Sequence, residues 1–215
     1  MPTYLQEKNA TANILGKTDG TSTVVIRDNA VNDVRQNEIA NAYPFSWLRK
    51  SDTLTTDSYG QADFDADFNP NHPCKDVRIV NSGQGDDYIF SVCQLEEFDH
   101  FDASQHRYFI DYNTTTNRWR LNTHNNSESI RVIYYQIPAT LTLDTDVDII
   151  PDLDVVAYFA ASRYWLSSER DETNHDRFRA LGEQRIQLLI NRDKKAQPRR
   201  LTRVNPYNLG YNRAD

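Results

Sequence analysis

Two prolines, Pro44 and Pro151, bracket a change of hydrophobic period, and that change constrains the fold more than any other feature. Ahead of Pro44, in "TSTVVIRDNAVNDVRQNEIANAYPFSWLRK", Val24, Val31, Val34 and Ile39 recur at roughly helical spacing, with Ser22 or Thr23 placed to cap a helix. That helix has to stop before Pro44, because the residue preceding a proline is pushed out of the α region. From Ser51 to about Ile150 the texture is β. "DTLTT", "KDVRIVN", "DYIFSVC", "HRYFIDY", "NRWRLNT" and "SIRVIYYQI" are short β-branched and aromatic runs, separated by turn-rich pieces such as "NPNHP", "SGQGDD" and "NTTTN". Six such runs predict an antiparallel sheet or a small sandwich.

After Pro151 the helical period returns. "DLDVVAYFAASRYWLSS" is apolar on most faces, as expected of a buried helix. "ETNHDRFRALGEQRIQLLINRDKK" sets Phe178, Leu181, Ile186, Leu189 and Ile190 among charges. It predicts an amphipathic helix from Glu172 to Asp193 of ~33 Å at 1.5 Å per residue. The expected fold class is therefore α+β. A helical bundle, built from an N-terminal helix and two C-terminal helices, carries an inserted antiparallel β lobe and an extended C-terminal tail. The corresponding divisions are a flexible N-terminal arm over 1–21, a helical domain over 22–50 and 151–193, a β domain over 51–150, and a basic tail over 194–215.

The charge is unevenly spread. The chain carries −7 overall, with 24 Lys and Arg against 31 Asp and Glu. Six cations and Asp215 from Lys194 onward give the tail +5, which leaves −12 on the first 193 residues. General affinity of the body for nucleic-acid phosphate is not expected. No apolar run approaches the ~20 residues of a membrane span. The N-terminus lacks the basic-then-apolar layout of a signal peptide, so secretion by that route is not expected. Cys74 and Cys93 make no disulfide framework and are expected as free thiols.

The acidic run "DTDVDIIPDLDVV" begins like a calcium loop, with Asp144, Asp146 and Asp148 on alternate positions. An EF-hand needs glycine at its sixth position and a bidentate Glu at its twelfth, and this run holds Ile149 and Val155 there. Local structure accounts for the rest: Pro151 suits a helix start, and Asp152 and Asp154 sit where the positive end of a helix dipole favours carboxylates. His72, Cys74, Cys93 and His100 lack the two tight pairs of a structural zinc site. "LEEFDHFDASQH" holds four carboxylates without a cleft to set them as a glycosidase pair, and reads as a polar loop. No nucleophile elbow and no P-loop occur. No catalytic residue, cofactor or metal is assigned.

Two stretches resemble the head–tail connector adaptor proteins of tailed bacteriophages. One is "NAYPFSWLRKSDTLTT", where a helix gives way to an aromatic corner and a first strand. The other is "VIYYQIPATLTLDTDVDIIPDLDVVAYFAASRYWL", where a strand ends in Tyr–Tyr–x–x–Pro, crosses the acidic link and enters a helix of small and aromatic residues. The resemblance spans about residues 22 to 195 and implies a non-enzymatic virion protein of the neck. It implies a ring of identical copies, commonly twelve, below the portal protein. That ring extends a channel through which genomic DNA passes without specific binding, and offers its far side to the next neck or tail protein. Other neck proteins such as stoppers share this wording, and a glycan-binding or wall-degrading β module is the rival from another class.

The resemblance makes the tail the expected portal-docking segment, with Arg199, Arg200, Arg203, Tyr207 and Tyr211 as its contact residues. A disordered solvated terminus and a single-strand nucleic-acid contact remain open for the same residues. Asp144, Asp146 and Asp148 are expected either in a solvated surface linker or in an acidic patch facing a lumen or a neighbouring copy. Trp47 and Trp165 are expected as packing anchors, Trp47 bracing the first helix against the β lobe.

Overall fold

The computed structural model describes residues 1–16, 21–72, 74, 76–79 and 89–196. Helices occur at both ends of this span and strands occupy its middle, so the protein is of mixed α+β class. The first helix, α1 (Tyr4–Leu15), lies where the sequence suggested an irregular arm. Its start is fixed by a capping box: Thr3 accepts from the Gln6 N–H, and Gln6 accepts from the Thr3 N–H at 2.9 Å. Its end is fixed by Gly16, whose φ of 62° is the left-handed conformation that glycine adopts without strain. The buried stripe is Tyr4, Glu7, Thr11 and Leu15, and two polar members hide its helical period from a count of apolar residues.

The second helix, α2 (Thr21–Asp33), begins at Thr21, so Ser22 and Thr23 lie inside it. It passes directly into a π-helical stretch, Val34–Ile39, and a last turn, α3 (Ala40–Ala42). Tyr43 is already extended, one residue before Pro44. A 3₁₀ turn over Ser46–Leu48 then leads into β1 (Arg49–Thr55), followed by β2 (Gln61–Asp63), β3 (Asp76–Ile79) and β4 (Ser91–Val92). After a short helix, α4 (Leu95–Phe98), come β5 (Arg107–Asn113), β6 (Arg118–Thr123) and β7 (Ser129–Tyr135).

The strands form two sheets, ordered β1–β7–β3 and β2–β6–β5–β4. Every pair is antiparallel except β4 with β5, which is parallel and only two residues long. The expectation of an all-antiparallel lobe is corrected at that edge, where α4 and the turn after it return the chain to β5 in the same direction. The strand β2 was not legible, because three residues are too few to show a period of two. Leu54, Phe64, Phe68, Val77, Leu121, Ile130, Val132 and Tyr134 meet between the sheets as one apolar core.

The C-terminal helices are α5 (Leu153–Tyr164) and α6 (Glu172–Ala196). Asp152 caps α5 by accepting from the Val155 N–H at 3.2 Å. Helices α1, α2 and α6 all pack on α5, which is why α5 is apolar on most faces. Val31, Val34, Ile39, Phe45, Leu48, Ile150, Val155, Phe159, Ile186 and Leu189 form the second core, each contributing about 1.5–3 kcal/mol if fully buried. Gly182 lets α6 approach: a Cβ there would meet the Phe159 ring at 3.0 Å. Helix α6 runs three residues beyond the expected Asp193, so Lys194 and Lys195 form its last turn, where the negative end of the dipole favours cations.

Candidate functional site

The connection from β7 to α5 is strapped to the second helix and its π-helical continuation by three polar side chains, Asn32, Arg35 and Gln36. Gln36 Nε2 donates to the Pro138 carbonyl at 3.1 Å and to Thr140 Oγ1 at 3.0 Å. Asn32 pairs with the Leu141 backbone, accepting its N–H at 2.9 Å and donating to its carbonyl at 3.0 Å. Arg35 donates to the Ala139 carbonyl at 3.0 Å and closes on Asp148. Arg35 and Gln36 belong to the π-helical stretch, an arrangement often found where a helix serves a special contact.

From the other side the start of the chain seals the same connection. Tyr4 N–H donates to the Asp146 carbonyl at 2.9 Å, Leu5 N–H to the Asp144 carbonyl at 3.2 Å, and Asp148 N–H to the Pro2 carbonyl at 3.0 Å. The acidic run is thus neither a free linker nor a uniform acidic face, and its three aspartates have three different tasks. Asp144 is exposed and bonded to Lys8. Asp146 folds back on its own turn, accepting from Thr142 N–H and Leu143 N–H at 2.8 Å each, and these bonds hold its carboxyl below the usual range. Asp148 is fully buried and accepts two bonds from Arg35, at 2.8 and 2.5 Å. Arg35 thus draws Asp148 inward, away from the exposed Asp144.

A third ionisable group completes the cluster. Glu7, on α1, is fully buried, with Oε2 3.8 Å from Arg35 Nε. Burial pushes the Glu7 carboxyl up to about 9, and the adjacent Asp148 carboxylate pushes in the same direction while Arg35 opposes. One guanidinium faces two carboxyls, so the low-dielectric pocket keeps one proton on Glu7 at neutral pH. Tyr4 flanks the cluster, its hydroxyl raised to about 12 by burial and by Asp28. This assembly joins α1, the π-helical stretch and the acidic connection, three segments far apart in sequence.

The far end of the connection is fixed as well. Arg185 of α6 donates to both oxygens of Asp152 at 3.0 Å and reaches Asp154 at 3.0 Å. At the C-terminal end of α6, the buried Asp193 accepts from the Ser46 N–H at 3.1 Å, and Lys194 Nζ lies 5.6 Å from the Tyr43 ring. The end of α6 thus lies against Tyr43 and Ser46, just ahead of β1. Arg199, Arg200, Arg203, Tyr207 and Tyr211 lie outside the described residues. Trp47 stacks on Phe45 at 4.6 Å and packs on the helical core just ahead of β1. Trp165, half-buried, packs beside Leu15, Ala161, Tyr164 and Phe178 at the end of α5.

Arg35, Glu7 and Lys8 were missed from sequence. Arg35 interrupts the stripe Val31, Val34, Ile39, which could have flagged a buried cation; Thr3-x-x-Gln6 ahead of Tyr4 was a readable capping signal for the helix that carries the other two. The described residues contain no cluster of three or more His, Cys, Asp or Glu able to hold a metal, and no helix among them is long and apolar enough to cross a membrane.

The family described as "SU10 adaptor protein" matches residues 2–206. No curated protein matches the chain.

Proposed function

The chain belongs to the SU10 adaptor protein family, a phage adaptor family whose members are virion components, and on that premise we propose that it is the head–tail adaptor of a tailed bacteriophage. In this reading it is structural rather than enzymatic. Copies assemble below the portal into a ring, with twelve subunits as the expected number. The ring extends the channel for genomic DNA, and its far side receives the next neck or tail protein. The observation that carries the reading is the family match, which takes in the arm, both cores, the acidic connection and more than half of the basic tail.

Charge supports the same assignment. A DNA conduit should not hold phosphates, since each Lys or Arg contact adds binding through counterion release. The first 193 residues at −12 suit a repulsive passage, and the +5 tail, with Tyr207 and Tyr211, suits docking in a groove of the portal. Within the ring, exposed Asp144 is the member of the acidic run available to a lumen or a neighbouring copy, whereas Asp148 serves the interior.

The test is negative-stain imaging of the purified protein mixed with its cognate portal, beside a chain ending at Asp193. Rings formed only by the full-length chain support the adaptor and put portal binding in the tail. Rings with both chains keep the adaptor and move docking to the helices. No association with either chain removes the reading.

A further inference from the structure

We propose that helix α1 is a clasp that opens as a unit while both apolar cores stay closed, and that ionisation of Glu7 is what releases it. Apolar contact anchors the clasp only lightly. Of its buried stripe, Tyr4, Glu7, Thr11 and Leu15, only Tyr4 belongs to the main helical core. Leu15 packs in a separate small cluster with Ala161 and Tyr164. The rest of the main core comes from α2, the π-helical stretch, α5, α6 and the chain on either side of the β lobe, so it does not need α1 to close. The seat of α1 is instead largely polar. Main-chain bonds tie Pro2, Tyr4 and Leu5 to the acidic connection, and Lys8 reaches both Asp144 and Asp28.

Glu7 fits this seat only when neutral. Neither of its buried oxygens accepts a hydrogen bond. Arg35, which faces it, is committed elsewhere: Nε and Nη2 donate to Asp148, and Nη1 donates to Asn32 Oδ1 at 2.9 Å and to the Ala139 carbonyl at 3.0 Å. An ionised Glu7 would keep only the 3.8 Å approach to Arg35 Nε and would stand against the Asp148 carboxylate. On its own helix Tyr4 flanks it, with Arg27 and Asp28 of α2 around the Tyr4 hydroxyl. The charged residues of α5 are engaged by other partners, Asp154 by Arg185, and Arg163 by Asp33 and Glu38. A buried carboxylate without donors is costly, whereas in the open clasp the same group reaches water. Burial and Asp148 push the seated carboxyl up to about 9, against its ordinary 4.5. The seated helix thus keeps a proton that the open one loses. The closed state is fully favoured below about 4.5 and loses ground as pH rises toward 9.

Hydrogen exchange of the full-length chain from pH 5 to pH 8 tests the clasp without a portal or any other partner. Protection factors, corrected for the intrinsic rate at each pH, are compared between amides 8–15 of α1 and 156–161 of α5, in wild type and in Glu7→Gln. The α1 amides should be protected at least about tenfold less than those of α5, as expected of a segment that opens on its own. Wild-type α1 protection should fall about tenfold per pH unit, because one proton is lost on opening. In Glu7→Gln, which cannot ionise, α1 protection should stay level over the same range. Equal protection of α1 and α5 in wild type would mean that α1 leaves only when the whole chain unfolds, which overturns the clasp; that comparison holds whether or not the variant folds. A level wild-type profile, or a slope that Glu7→Gln shares, overturns release by Glu7.

Discussion

Arg35 and Asp148, 113 positions apart, meet through two parallel hydrogen bonds with both side chains closed to water. The pair ties the entry to α5 onto the second helix, and Glu7 beside it ties on the first. The consequence is asymmetric. Removing Arg35 leaves one or two carboxyls buried without a cation, a loss that typically costs about 3–5 kcal/mol. Removing the Asp148 charge leaves Glu7 to ionise in its place and face Arg35. Arg35→Met should therefore lower the urea midpoint much more than Asp148→Asn. Equal losses in equilibrium unfolding would show that Glu7 does not share the guanidinium.

Glu7 makes stability depend on pH with a definite sign. Its folded carboxyl titrates at about 9, above the ordinary value of 4.5 that it regains on unfolding. Across that window the native state keeps a proton that the unfolded chain has lost, so stability is full below about 4.5 and falls as pH rises toward 9. Glu7→Gln removes the ionisation while preserving the shape. The variant should gain on wild type steadily from pH 5 to pH 9 in paired urea titrations. A pH-independent difference would mean that Glu7 is ionised in the folded protein.

The helix–strand–helix order and the class were legible because long periodic segments such as Val155–Tyr164 and the runs of β5, β6 and β7 carry their own pattern. Helix α1 was not, since its inward stripe includes Glu7 and Thr11, whose burial depends on Arg35 and on the chain's own carbonyls rather than on hydrophobicity. The acidic run shows the same limit. Alternation of Asp144, Asp146 and Asp148 looks like one feature in sequence, yet their partners are Lys8, a local backbone turn and Arg35, and only tertiary contacts distinguish them. Short strands fail for a different reason: β2 and β4 exist through their neighbours, β6 and β5, and have too few residues to show a period.

Gly182 tests the packing of the last two helices. A glycine inside a 25-residue helix costs about 0.5–1 kcal/mol relative to alanine, so its presence marks a close approach, here to the buried Phe159 ring. Gly182→Val puts two methyl groups where a single Cβ already stands at 3.0 Å, and should destabilise by about 1–3 kcal/mol through displacement of α6 from α5. Phe159→Leu made in the Gly182→Val background should recover part of the loss. Thermal melts of the single and double variants decide it, and an additive double variant would place the strain elsewhere.

Calcium provides the last test, because the acidic run invites a metal reading that its contacts oppose. A hard cation needs about six to eight oxygen ligands, with carboxylates free to turn toward it. Asp148 already gives both oxygens to Arg35, Asp146 spends one oxygen on two backbone N–H groups, and Asp144 is engaged by Lys8. Drawing these three onto one ion would break the buried pair and unseat α1, at a cost larger than exposed carboxylates could return. The melting temperature should therefore be the same in millimolar calcium and in chelator. An increase of several degrees with calcium would require binding to the folded state alone, and with it a rearranged connection in which Asp148 has left Arg35.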